Sequence, residues 1–152
     1  LERAVELQPF QEKHYANLAQ AYFLVGKAFL EKKEQSQARD YFQKSAGVRE
    51  KLQDTVNKVP PEVPSYQKPT SDYPPLVLTT AQARFLLGDW DDAEKLLRAA
   101  VKDKEVSNRA WLWLGLLYEK RGKAALARQY LEKAWTADPS LKTEYHMLLS
   151  IL

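Results

Sequence analysis

The stretch 111–139, WLWLGLLYEKRGKAALARQYLEKAWTADP, decides the fold. Its large apolar and small residues fall at helical intervals: Trp111, Leu114, Gly115 and Tyr118, then Ala127, Leu131 and Ala134. Gly122, between the two runs, can take the left-handed conformation that ends a helix, and Pro139 stops the second run. The segment therefore reads as a helical hairpin, with Ser107 as N-cap of the first helix and a second helix over about 124–137. Gly115 and Ala127 are small where the two helices must cross closely. Trp111, Leu114 and Tyr118 fill the space around that crossing.

Outward from this hairpin the pattern recurs. Gly88 precedes Gly122 by 34 residues, and the same interval carries Ala93 to Ala127, Leu97 to Leu131 and Ala100 to Ala134. Helical patterning at this period means stacked hairpins, each of which needs its neighbours to cover its apolar face. Residues 74–107 form the preceding copy, with Val77, Thr80, Ala81 and Arg84 in the places of Trp111, Leu114, Gly115 and Tyr118, and Asp89 as N-cap of its second helix. Farther upstream, Tyr15, Leu18, Ala19 and Tyr22 open a helix over 12–33, and Ala38, Phe42 and Ser45 mark its partner over 36–57. Tyr15 lies 23 residues before Ala38, against 16 from Trp111 to Ala127, which reads as a seven-residue insertion in the hairpin 12–59. Leu1, Ala4 and Pro9 fit the tail of one more second helix within 1–11. Ser140 caps a last helix over 140–152, in which Tyr145, Leu148 and Leu152 take the places of Trp111, Leu114 and Tyr118. Six of the eight prolines lie in 60–75, a density that excludes helix and predicts a semi-rigid extended connector inside a single domain spanning 1–152. Because the period is entered and left in mid-repeat, the chain is expected to be an excised piece of a longer protein.

The hairpin at 111–139 resembles a tetratricopeptide repeat, whose pattern is W-x2-L-G-x2-Y, then A-x3-F-x2-A and a closing P, with Leu131 standing where the pattern has an aromatic. The resemblance is best over 74–141 and partial over 1–11, 12–59 and 140–152. It implies an all-α fold, a right-handed superhelical stack of antiparallel helical hairpins (a TPR-like α-solenoid), whose first helices line a concave face. By helical phase that face carries Gln20, Phe23 and Leu24, then Leu78, Gln82, Phe85 and Leu86, then Arg109, Leu112 and Leu116, with Trp113 at the margin. Such a surface reads as an apolar groove for a peptide with aliphatic or aromatic anchors, either amphipathic helix or extended segment. The alternative is that the groove is filled, either by the connector through Val63, Tyr66 and Tyr73 or by flanking repeats outside this piece. Some family members clamp the C-terminal carboxylate of a chaperone tail. Ala16, Leu78 and Leu112 stand where that clamp needs polar and cationic side chains, so this activity is not implied.

Composition narrows the function. The 152 residues carry 23 Lys and Arg against 20 Asp and Glu, a net charge of +3 spread evenly along the chain, which argues against a nucleic-acid surface. Zero Cys excludes disulfides, thiolate zinc sites and cysteine nucleophiles. His14 and His146 are far apart, and the five glycines are too scattered for a phosphate loop. The acidic cluster Asp89, Asp91, Asp92 and Glu94 lacks the glycine and glutamate of a calcium loop and reads as helix-start complementarity. The longest uncharged run, 73–83, has 11 residues, too few for a membrane span. No catalytic, metal or cofactor residues are legible. The first reading is thus a non-catalytic protein–protein interaction scaffold that binds a protein or peptide. The resemblance adds a second, an accessory, periplasmic domain of a larger membrane enzyme, since arrays of bacterial appearance occur on polysaccharide ligase- and polymerase-like proteins. A third is a regulatory domain that senses a ligand in its groove. Absence of Cys fits cytoplasm and periplasm alike. In the last helix, Tyr145, Leu148, Leu149 and Leu152 are expected to cover the preceding helix. Met147 and Ile151 on the other side predict weak self-association through this end.

Overall fold

A computed structural model describes residues 1–152. The chain forms eight α-helices and no strand: α1 (Glu2–Leu7), α2 (Glu12–Glu31), α3 (Gln35–Asn57), α4 (Pro74–Leu87), α5 (Trp90–Ala100), α6 (Ser107–Lys120), α7 (Ala124–Ala137) and α8 (Leu141–Ile151). Short turns make α2/α3, α4/α5 and α6/α7 antiparallel hairpins. α3 then packs on α4, α5 on α6, and α8 on both α6 and α7, so the hairpins stack as an α-solenoid.

The three hairpin turns are built alike. Lys33, Gly88 and Gly122 have φ of 63°, 89° and 71°, the left-handed region. The N–H groups of Glu34, Asp89 and Lys123 each donate to a carbonyl five residues back, on Phe29, Arg84 and Tyr118, at 2.9 Å. This is the bond that closes a Schellman motif and satisfies the carbonyls orphaned at a helix end. In the first hairpin a lysine takes the conformation that glycine takes in the other two.

That equivalence corrects the register of the first hairpin. Gly26 precedes Lys33 by the same seven residues that separate Gly115 from Gly122. A Cβ on Gly26 would lie 2.7 Å from the Phe42 ring, as one on Gly115 would lie 2.5 Å from Leu131. The close crossing is therefore at Gly26, not Ala19, and Tyr22-x-x-Val25-Gly26-x-x-Phe29 is the repeat motif. Tyr22 lies 16 residues before Ala38, so the hairpin contains no insertion. The extra length is at its open end, where α2 starts two turns early and α3 finishes late. Seven residues are close to two helical turns, and both frames present nearly the same apolar face. Only the crossing distinguishes them.

The lengthened end has its own small core of Val5, Tyr15, Leu18, Ala19, Val48, Leu52 and Leu76, separate from the main core of the three hairpins. The connector is shorter and less extended than expected. It makes one 3₁₀ turn at Ser65–Gln67, and its last two prolines, Pro74 and Pro75, open α4, where a missing N–H costs nothing. Its remaining residues close this end. The Thr70 N–H donates to Glu12, the Ser71 hydroxyl bonds to Gln53, and Arg49 donates to the Ser71 carbonyl and pairs with Asp72 at 2.9 Å. Tyr66 of the connector stays exposed.

Side chains expected to cap helices do other work. Asp89 stands at the N-cap of α5, but its carboxylate pairs with Arg84 at 3.1 Å. Ser107 is the first residue of α6 and buried, with Val106 at the N-cap. Ser140 precedes α8, where its own N–H and O–H donate to Asp138. The acidic cluster likewise serves packing. Arg121, at the C-cap of α6, pairs with Asp91 and Glu94 of α5, and the Tyr118 hydroxyl donates to Glu94. In α8, Leu141, Tyr145, Leu148 and Ile151 face the core, while Leu149 and Leu152 turn outward with Met147. The buried stripe is thus rotated from the expected one.

Candidate functional site

The corrected register brings equivalent positions of successive first helices side by side. Counting from Tyr22, Val77 and Trp111, the residues two before are Gln20, Pro75 and Arg109, and those one after are Phe23, Leu78 and Leu112. Two after come Leu24, Thr79 and Trp113, and five after come Lys27, Gln82 and Leu116. On α2 and α4 all four rows line one groove of about 360 Å³, closed by Glu105, Val106 and Arg109 at the start of α6 and by Glu144 of α8.

Of the ten residues expected on this face, Gln20, Phe23, Leu24, Leu78, Gln82 and Arg109 are brought together in the groove. The others are not. Phe85, Leu112 and Leu116 are buried in the main core, and Leu86 is partly buried against it. The reason is an aromatic contact across the face. The Phe23 ring of α2 meets Trp113 of α6 at 6.1 Å, and Phe85 of α4 meets the same indole edge-on at 5.4 Å. These three rings fill the deep part of the groove and put Trp113, expected at the margin, in the centre with its indole N–H unpaired. The molecule fills its own groove in part, with these rings rather than with the connector.

What stays open is more polar than expected. Thr79 and Gln82 are 7% and 6% exposed, and neither side chain has a hydrogen-bond partner in the protein. Lys27 has no carboxylate in ion-pair range, and its ammonium lies 5.9 Å from the Phe23 ring. Arg109 donates through Nε to Glu144 at 3.2 Å and so ties α6 to α8 across the rim. Glu105 is unpaired and lies near Tyr73 at the start of α4, where burial first, and then the charges of Glu105 and Glu12, raise the Tyr73 phenol. Leu24, 53% exposed, is the one fully open aliphatic side chain. The groove therefore runs from Glu105 at one end to Lys27 and Gln82 at the other.

Pro75, Thr79 and Lys27 were legible in principle, because repeat equivalence to Gln20, Leu24 and Gln82 picks them out once Gly26 sets the frame. Glu105, Val106 and Glu144 carry no such signal, since they arrive through the turn before α6 and the seating of α8. No group of three or more His, Cys, Asp or Glu is arranged to hold a metal ion, and no helix is long and apolar enough to cross a membrane.

Comparison with known families agrees with this geometry. A tetratricopeptide repeat model matches residues 78–141, and a second matches residues 19–52. The chain belongs to the tetratricopeptide repeat family, an α-solenoid class of protein-interaction scaffolds. No curated protein matches it.

Proposed function

We propose that this domain is a non-catalytic scaffold that holds a protein segment on the concave face, in the groove between α2, α4 and α6. The observation that carries this reading is the pair of nearly buried, unpartnered polar side chains, Thr79 and Gln82, which open only to that groove. Their polar atoms are not sealed from solvent, so their unused hydrogen-bonding capacity faces the groove and is available to a ligand there. Membership of an interaction family supports a protein ligand.

A photo-crosslinking amino acid placed singly at Leu24, Lys27, Lys95 or Lys102 in the native cells tests this. The first two positions line the groove, and the last two lie exposed on or just beyond α5. A discrete protein adduct from Leu24 and Lys27, and none from Lys95 or Lys102, is expected. Equal adducts from both faces, or none from the groove, refute the reading.

A further inference from the structure

We propose that the outer furrow between α3 and α5 holds a second site, which takes a free aromatic amino acid as a small-molecule ligand. This furrow lies on the opposite side of α4 from the concave groove. Pro75, Leu78, Thr79 and Gln82 face the groove, whereas Pro74, Val77, Thr80 and Arg84 face the furrow. The two sites are independent of each other.

The first observation is a gap in the repeat motif. Val77, Thr80 and Arg84 stand where the next repeat has Trp111, Leu114 and Tyr118. In that repeat the large side chains fill the space themselves. Trp111 packs against the main core, and Tyr118 bridges α7 and α5, stacked on Tyr130 at 5.5 Å and bonded to Glu94. In the middle repeat Arg84 makes the corresponding bridge, to Glu50 of α3 and to Asp89 before α5. The indole has no counterpart. Val77 instead forms one wall of an open recess of about 300 Å³, whose other apolar walls are Pro74, Leu96, Ala99 and Ala100.

The second is size and polarity. This volume is at the lower end of small-molecule sites, about 300–1,000 Å³. A ring system enters it, and a helix, about 10–12 Å across, does not. The walls carry no side-chain donor or acceptor, so the part of a ligand that is buried there must be apolar.

The third is charge at the mouth. Arg49 is committed to the Ser71 carbonyl and to Asp72, each at 2.9 Å. Lys102 and Asp103 line the same recess and make no ion pair. Asp103 uses Oδ1 to accept the Glu105 N–H at 2.9 Å, which leaves Oδ2 without a partner. The mouth thus presents one free cation beside one free anion. A ligand with a single charge would meet one opposite and one like charge there. An α-amino acid carries both signs on one carbon, its carboxylate for Lys102 and its ammonium for Asp103. With the head so placed, an aromatic side chain takes the space that the motif assigns to an indole.

Titration of the 152-residue chain, followed by NMR shifts of the Val77, Leu96, Ala99 and Ala100 methyls, tests this. L-Tryptophan is expected to bind in the roughly millimolar range of a small fragment. Tryptamine and indole-3-propionate each lack one charge and should bind about tenfold more weakly, the worth of one charge-assisted hydrogen bond. L-Leucine keeps both charges without the ring and should also be about tenfold weaker. N-acetyl-L-tryptophanamide, which stands for the same residue inside a protein, should bind no better than these. Lys102→Glu should weaken indole-3-propionate and strengthen tryptamine. Ala99→Leu, at an exposed position on α5, should narrow the mouth and abolish the shifts. Val77→Trp supplies the indole from the chain itself, so the melting temperature should rise and the shifts should vanish. Lys27→Glu, in the concave groove, should change nothing. No shift with L-tryptophan near its solubility limit overturns the proposal. So does equal binding of L-leucine or N-acetyl-L-tryptophanamide, or a Val77→Trp variant that melts below the parent. Crosslinks from Leu24 and Lys27 are unaffected by any of these results, so the concave reading is judged separately.

Discussion

Gly26→Ala, measured beside Gly47→Ala, tests the register that places every groove residue. Both glycines are inside long helices, so each substitution gains the same intrinsic helix propensity, about 1 kcal/mol. Their surroundings differ. A Cβ at Gly47 meets nothing within 4 Å, whereas one at Gly26 lies 2.7 and 2.8 Å from two carbons of the Phe42 ring. That ring cannot simply swing aside, because it is buried and packed against Phe23 at a centroid distance of 5.7 Å. The α2/α3 crossing must open, and overpacking of this sort costs about 1–3 kcal/mol. Subtracting one variant from the other cancels the propensity gain and leaves that steric cost. For a chain of this size it corresponds to a melting temperature roughly 2–12 °C lower for Gly26→Ala than for Gly47→Ala. Thermal denaturation followed by far-ultraviolet circular dichroism reads the difference directly. Phe42→Leu in the Gly26→Ala background should recover part of it, which identifies the ring as the obstacle. If the two single variants melt within 1 °C of each other, about the error of the method, the crossing is not at Gly26 and the alignment of Lys27 with Gln82 fails with it.

Lys33→Gly should stabilise the chain by about 0.5–1 kcal/mol, because a lysine at φ 63° bears a left-handed cost that Gly88 and Gly122 avoid; a urea midpoint that does not rise at unchanged slope contradicts the shared turn geometry. Stability should also fall at both pH extremes through the α5–α6 contact. The hydrogen bond from Tyr118, then Arg98, with the charge of Arg121, holds Glu94 below its ordinary 4.5. A depressed carboxylate stabilises the fold fully above that value and loses the contribution as pH falls through the lowered pKa. Burial, then the bond to Glu94, pushes the Tyr118 phenol from 10.0 up to about 12, so its contribution is complete below pH 10 and is lost as pH rises towards 12. Glu94→Gln should flatten the acid side of the stability–pH curve, and an acid limb unchanged from the parent would show that the network does not carry it.

The sequence carries the class of fold, since a 34-residue recurrence of small and apolar residues at helical spacing has few other solutions. It fixed the hairpin boundaries within about two residues and named six residues of the groove. Tertiary structure decided three other things. Periodicity alone could not choose between Tyr15 and Tyr22 as the start of the first repeat, because a shift of seven residues leaves a helix face nearly unturned. The contact of Gly26 with Phe42 chose. Nor could helical phase separate open positions from filled ones: Leu24 and Trp113 are equivalent by repeat, yet one is exposed and the other lies under Phe23 and Phe85. Which side chain closes over which depends on how far the stack curls, and that is a sum of interhelix angles that no single repeat encodes. The connector's resting place on Gln53, Arg49 and Glu12 was equally beyond the sequence, because it rests on individual hydrogen bonds between residues far apart along the chain rather than on any recurring pattern.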